Sequence, residues 1–466
     1  MQKNFFKYFS QQQYILFSTL VLISIYYFIS SCYINTSNDG SHYALVSALI
    51  NNQSVSINEY IDYTGKIDYA IKNGVYYSDR LPGNAFLMIP FFSFGNLLNL
   101  LHLNTLSTHT PIQEVTVILL PNLCGVLGAL FIFLLCKQFK TSYTTALIVA
   151  IMYAFCTLNV QESTHVFSHA PSMCLVIAAF YFLIKIPNIY SKQFLWFVFL
   201  LSYSIIVELQ NSLLFFPALI YIFQSKKINL KKKTDTIKFI SLSLFIFLAT
   251  ISILIIYNYT AFGEITLKSN KFNPEFPEEQ SFITSLSGDF VSGIDRLFTN
   301  FLNPEVWSHF ELGVKNDIPG LLITSPILLF SLFGFILFFR KQTKEAFLFT
   351  SIILINVMIG AFHKTVLTRH IFTITPFLFF PIVFAINYIQ IHKYKTVFVI
   401  FLSVLAVFSA FRVFYVTHTY WGREITNVFP FVKEFNIYVL FLIFVGAPIL
   451  LLYFKRIKIS NQALSK

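Results

Sequence analysis

The sequence predicts an all-α membrane protein with about twelve transmembrane helices, two long outer loops and one interfacial or re-entrant helix. Three observations carry this. First, 56% of the 466 residues are hydrophobic and 12% are charged, with a mean hydropathy of +0.67; such a chain cannot cover itself with polar surface in water. Second, apolar runs recur that match the ~20 residues a helix needs to cross a ~30 Å hydrocarbon core. Third, the cations fall on alternate connections between those runs, as the bias of cytoplasmic loops toward Lys and Arg requires.

Taken in order, the expected spans are 14–34, 114–136, 143–158, 168–185, 194–208, 211–224, 239–257, 320–339, 346–362, 371–390, 395–415 and 437–454. The pair 194–208 and 211–224 is short and interrupted by Glu208, Gln210 and Asn211, so one long kinked helix is the alternative to two spans there. Residues 84–101 are apolar but hold Pro90, Gly95 and three Asn. The charge alternation leaves no place for them as a crossing, and they read as an interfacial or re-entrant helix at the outer face.

With the N-terminus inside, 21 of the 33 cations lie on the inner connections, against two anions, Asp235 and Glu345. The outer face keeps 12 cations and 19 anions. This asymmetry accounts for the formal net charge of +12 and leaves no reason to expect a nucleic-acid partner. It places both ends in the cytoplasm; the expected location is the plasma (inner) membrane. The first span lacks a small-residue cleavage site and reads as an uncleaved helix. Cys32, Cys124, Cys136, Cys156 and Cys174 lie within or at the ends of spans without Cys-x-x-Cys spacing, as apolar packing residues do.

The chain reads as one integral membrane domain over 1–466 with no separate soluble domain. Its long outer segments are 35–113, a first loop with juxtamembrane helices, and 258–319; the inner connections are short basic turns, so the chemistry is expected outside. Ionisable groups near hydrocarbon are costly and mark substrate or ion paths. Asp39, in the run Asn38-Asp39-Gly40-Ser41-His42, could take a proton from an acceptor hydroxyl; it would equally serve as an Asx turn or helix cap for Tyr43 to Leu49. Asp79 and Arg80 precede Leu81-Pro82-Gly83, where an Arg fork could grip a lipid phosphate, or pair with Asp79 and snorkel to headgroups.

The connection 159–170 carries His165 and His169 at i and i+4, on one helical face. With Glu162 they could hold a divalent metal, but no second His pair or Cys cluster supports that, and hydrogen bonding or phosphate contact is the expected role. Lys364, Arg369 and His370 crowd the outer turn before Pro376, where they could neutralise a phosphate leaving group or anchor the interface. Tyr63, Tyr69, Tyr76, Tyr77, Trp307 and Trp421 are sugar-stacking or interface-belt aromatics.

The run Tyr76-Tyr77-Ser78-Asp79-Arg80-Leu81-Pro82-Gly83, leading into Phe86-Leu87-Met88-Ile89-Pro90, resembles a motif of the GT-C integral membrane glycosyltransferases. Within that superfamily it resembles the bacterial protein mannosyltransferase and aminoarabinose transferase group, which has Tyr-Ser-Asp-Lys-Pro-Pro-Gly. Here Arg80 stands for Lys and Leu81 for the first Pro. Ser163 to Ala170, Tyr257-Asn258-Tyr259 with Phe262-Gly263, Pro319-Gly320-Leu321-Leu322 with Pro326, and Arg369-His370 before Pro376 follow in the family's order.

The resemblance implies an inverting transfer of a sugar from a polyprenyl-phosphate donor to an acceptor hydroxyl on a glycan, lipid or protein, at the outer face. Asp39 matches the family's general base. Arg80, Arg369, His169 and Lys364 would hold the donor phosphate, with Asp79, His165, Glu162, Tyr77 and His370 in support. No cofactor is expected, and no Asp-x-Asp run for nucleotide sugars is present. The rival readings are a transporter or flippase for a lipid-linked glycan and a glycan polymerase. Against the flippase stand the lack of an internal repeat and of a deep ionisable pair apart from Glu208; against the polymerase, Asp39 and the Ser-Asp-Arg run.

Overall fold

A computed structural model describes residues 10–34, 36–102, 111–227, 233–276, 290–302, 308–309, 314–315, 319–362, 368–390, 395–420 and 423–424. The chain is a bundle of helices capped at one end by a small polar layer. α1 (Gln11–Ile29) is followed by α2 (Ser37–Asn51), a 3-10 turn (Asn58–Thr64), a hairpin of β1 (Ala70–Lys72) and β2 (Val75–Tyr77), and α3 (Gly83–Leu100). Then come α4 (Ile112–Val117), α5 (Leu119–Gln138), α6 (Tyr143–Cys156), α7 (Asn159–Ser163), α8 (His169–Lys185), α9 (Lys192–Val207), α10 (Phe215–Gln224) and α11 (Lys233–Phe262). The later helices are Phe290–Leu302, Leu321–Thr324, Leu328–Lys341, Thr343–Phe362, Ile382–Gln390 and Lys395–His418, with a 3-10 turn and short helix over Thr368–Phe379.

Six described helices are long and apolar enough to cross a membrane, and four shorter apolar ones accompany them. Together with the pair Leu321–Thr324 and Leu328–Lys341, these coincide with eleven of the expected spans; 437–454 lies outside the described residues. α11 runs to Phe262, five residues beyond the expected boundary, so the second outer segment begins later than its sequence suggested. The apolar stretch after Pro82 forms one helix, α3, whose Gly95 packs against Gln113 and Thr116 of α4.

The interruption at Glu208 has a definite outcome: α9 and α10 are two antiparallel segments, not one kinked helix. Glu208 is extended, and the chain past α10 returns to where α9 begins: the Ile189 amide donates to the Lys227 carbonyl at 3.1 Å. The Lys227 ammonium also donates to the Ile186 carbonyl at 2.5 Å, and Phe215 meets Phe197 with centroids 6.2 Å apart.

The same end of the bundle gathers the connections expected on the inner face. Tyr143 bonds the Gln12 carbonyl, Gln390 donates to Thr145 at 3.1 Å, Tyr221 to Glu345 at 2.9 Å, and Tyr190 pairs with Thr236 at 2.8 Å. At the opposite end the Cys32 amide donates to the Thr164 carbonyl at 3.0 Å, and Tyr257 to the Ser78 carbonyl at 3.1 Å. The alternation of basic and acidic connections is therefore also an alternation in space.

Apolar side chains form a large core through the bundle, from Tyr27 on α1 to Phe380 and Val413. A second cluster, around Tyr43, Leu45, Met88, Phe92 and Val115, fixes α2 and α3 to the tops of α4 and α5. This second cluster positions the polar layer described next.

Candidate functional site

Asn73-Gly74 shapes the first part of the site. Both residues have positive φ, 53° and 79°, the conformation that closes a two-residue hairpin matched to the strand twist. The resulting register pairs Ala70 with Tyr77 and Ile71 with Tyr76. Continued outward by two residues, it sets Asp68 opposite Asp79. Arg80 then lies between the two acids: its Nη2 pairs with Asp68 and its Nε is 3.4 Å from Asp79 Oδ1. Asp68 and Asp79 are 5% and 4% exposed, whereas the Arg80 side chain is 29% exposed.

Neutral donors complete both carboxylates. The Ser37 hydroxyl donates to Asp68 Oδ2 at 2.6 Å, Ser41 to Asp79 Oδ1 at 3.2 Å, and the Asn273 amide to Asp79 Oδ2 at 2.9 Å. Ser41 and Ser78 share a hydrogen bond of 2.8 Å. Burial pushes the Asp79 carboxyl up to about 6; Arg80 pulls it down, Asp68 pushes it up, and the Asn273 and Ser41 bonds lower it. Sequence reading overlooked Asp68 and Asn273. Asn73-Gly74 between Ile71 and Val75 was the available signal for Asp68, because a two-residue hairpin fixes which residues flank it.

α2 supplies the second part. Its N-cap is Thr36 and it begins at Ser37, so Asp39 lies inside the first turn at the third position of a capping box; the helix expected over Tyr43 to Leu49 starts six residues earlier. Asp39 Oδ1 accepts the Thr36 amide at 2.9 Å, the Thr36 hydroxyl and the Gly40 amide at 3.2 Å. The carboxylate is fully buried, and its negative charge suits the helix N-terminus. One turn on, His42 is 1% exposed, and neither ring nitrogen has a hydrogen-bond partner among the described residues. Burial drives its imidazole down to about 3, assisted by the charges of Arg80 and His169 and opposed by those of Glu208 and Asp68. His42 is therefore neutral and shares one electrostatic neighbourhood with these four groups. Asn84, in the first turn of α3, is 1% exposed with neither amide atom partnered among the described residues.

The third part comes from the α7–α8 turn and the reversal after α9. His169 Nδ1 is 3.2 Å from Glu208 Oε1, and Ser168 donates to the same oxygen. Asn211 donates to Ser172 at 2.8 Å and to the Ser204 carbonyl at 3.0 Å. His165 and His169 do not share a helical face: α7 ends at Ser163 and α8 starts at His169. Pro171 explains the break, because its ring would clash with the Phe167 carbonyl in a helix continued through 167. His165 Nδ1 instead meets the Gln161 carbonyl at 2.8 Å, and its ring stacks on Phe167 at 5.3 Å. Glu162 is fully buried in α7.

The predicted residues thus divide. Asp79 and Arg80 form one node with Asp68, and His42 feels the charges of Arg80, Asp68, His169 and Glu208. Asp39 lies on α2 two residues before Ser41, which donates to Asp79. Tyr77 packs its ring on Phe262 at 5.3 Å and supports the hairpin. Lys364 and the side chains of Arg369 and His370, like Trp307 and Trp421, lie outside the described residues.

A family model described as dolichyl-phosphate-mannose-protein mannosyltransferase matches residues 106–257. That stretch includes His165, His169 and Glu208 but not Asp39 or Arg80. No curated protein matches the sequence. Among solved structures, ArnT from Cupriavidus metallidurans bound to undecaprenyl phosphate is similar in fold, with a TM-score of 0.55 at 9% sequence identity over 84% of this chain. The match spans 63% of the ArnT chain, less than two thirds of its length. Family model and fold agree with the resemblance carried by the Tyr76 to Gly83 run: the chain is similar to the mannosyltransferase and ArnT group of GT-C membrane proteins.

Proposed function

We propose that this protein transfers a sugar from a polyprenyl-phosphate donor to an acceptor hydroxyl on a glycan, lipid or protein at the outer face of the plasma membrane. The observation that carries the reading is the Asp68–Arg80–Asp79 node at the end of the bundle opposite the basic connections, beside the neutral His42 and the first turn of α2. ArnT, similar in fold, is bound to undecaprenyl phosphate, and a guanidinium such as that of Arg80 is suited to pairing with a lipid phosphate.

In this reading the acceptor oxygen attacks the anomeric carbon, the bond from that carbon to the phosphate oxygen breaks, and the configuration inverts. Asp39 removes the hydroxyl proton as general base. Arg80 presents its partly exposed guanidinium to the departing polyprenyl phosphate, with His169 nearby and Arg369 and Lys364 as further cations. Asp79, Glu162, His165, His370 and Tyr77 support the site. Both chain ends are cytoplasmic.

The test is release of free polyprenyl phosphate from a panel of labelled polyprenyl-phosphate sugars by the purified full chain in lipid. Release is expected for at least one sugar. No release from any donor by folded protein overturns the reading and favours a transporter.

Arg80→Ala is expected to raise the KM for the donor roughly 10- to 100-fold, following the ~1.5–3 kcal/mol of a hydrogen bond to a charged group. Because it also strands two buried carboxylates, Arg80→Lys serves as the folded control and retains most of the activity. Steady-state kinetics on both variants decide; unchanged kinetics for Arg80→Ala remove it from the site.

A further inference from the structure

The node of two acids on one cation has a consequence for binding. We infer that an anionic donor binding at Arg80 takes up one proton, with Asp68 and Asp79 acting as positioning residues that share the guanidinium until the phosphate displaces one of them. This rests on the reading just proposed.

The argument begins with charge. Asp68, Asp79 and Arg80 carry a net charge of −1 when both acids are ionised, and a polyprenyl phosphodiester adds another −1 at the same place. The remaining groups around the acids do not offset this. Ser37, Ser41 and Asn273 are neutral donors, and Tyr257, from α11, reaches the Ser78 carbonyl through its hydroxyl. His42 is neutral. Lys72 and Lys271 are paired with Glu264 at 2.9 and 2.8 Å. Asp39 is two residues from Ser41 on α2, and Glu275 follows Asn273; both are acids. Glu208 is paired with His169.

The two acids differ in how they hold Arg80. Asp68 grips Nη2 and is itself held by Ser37. Asp79 meets Nε at the longer distance of 3.4 Å, and its other partners, Ser41 and Asn273, can equally serve a protonated carboxyl by accepting or by turning. A phosphate entering from the exposed side of Arg80 therefore weakens the Asp79 contact first. Asp79 then loses its cation and gains an anion, and both changes favour its protonated form. Burial has already raised this carboxyl, so the proton is available near neutral pH.

The sign follows from linkage. The carboxyl binds its proton more tightly in the complex than in the free protein, so affinity is highest below the free-site value of about 6. It falls as pH rises from there to the higher value of the complex, by at most about tenfold per pH unit for one proton. Asp79→Asn mimics the protonated acid: it is expected to bind tightly at pH 8 and to lose the dependence. Asp68→Asn removes the like charge that raises Asp79 and moves the window to lower pH.

The experiment is calorimetric titration of the full chain in nanodiscs with the methyl ester of undecaprenyl phosphate, a phosphodiester whose single charge does not titrate. It is run from pH 5.5 to 8.5 in buffers of different ionisation enthalpy, so that proton uptake is read directly. Uptake approaching one proton near pH 7, absent in Asp79→Asn and displaced in Asp68→Asn, is the expected result. Binding without uptake, or uptake unchanged in Asp79→Asn, overturns the inference and leaves the proposed transferase standing. No binding by folded wild type at any pH overturns both.

Discussion

Asp39→Asn is expected to lower the rate of sugar transfer by roughly 10² to 10⁴, the usual contribution of a positioned general base, while leaving fold and lipid-phosphate binding in place. The structural part of that expectation comes from the capping box. An Asn amide oxygen can still accept from the Thr36 amide, so α2 keeps its start, and the exchange costs well under the ~1 kcal/mol typical of losing a cap. The chemical part comes from what Asn cannot do, which is to accept a proton. The substitution therefore separates the two roles that the sequence left open for this residue. Release of polyprenyl phosphate, measured beside thermal unfolding and lipid binding for both proteins, reads them apart. Transfer within about twofold of wild type assigns Asp39 to the cap alone and sends the search for the base to the Glu208–His169 pair.

What the sequence made legible is what depends on local composition. Hydropathy located the helices because the bilayer rewards length and apolarity irrespective of tertiary detail, and the cation asymmetry foretold which ends gather on one face. Glu208 announced an interruption, but the sense of the turn depended on contacts between residues far apart in the chain, Ile189 with Lys227 and Phe197 with Phe215. The Ser-Asp-Arg run marked the site, yet half of the Arg80 environment was hidden because Asp68 enters only through hairpin register. The histidine spacing misled for a local reason: helical periodicity was assumed across Phe167, where Pro171 forbids it. His42 carried no signal at all. A lone His beside a turn looks ordinary until burial and its charged neighbours are seen together.

The same dependence of the site on packing yields the last expectation, at Gly40. A Cβ at this position would lie 1.7 Å from the Tyr63 carbonyl oxygen and 2.5 Å from its carbon. Both are backbone atoms, so no side-chain rotation relieves the clash. Tyr63 is also unable to retreat: its hydroxyl donates to Glu114 at 2.9 Å, and its ring lies 4.8 Å from that of Tyr43, one turn beyond Gly40 on α2. Gly40→Ala must therefore push the 3-10 turn Asn58–Thr64 off α2 or unwind the start of α2. Either movement draws Asp68 away from Ser37 and Arg80 and disturbs the Thr36–Asp39 cap. Overpacking of this kind costs roughly 1–3 kcal/mol and often more where only backbone can yield. The bundle core, built from different helices, is expected to persist. Hydrogen exchange should accordingly rise over residues 37–83 and stay unchanged in α5, α6 and α8, with transfer activity lost. Wild-type exchange and activity in Gly40→Ala would show that α2 and the 3-10 turn do not approach this closely, and would detach the charged node from the packing argued here to hold it.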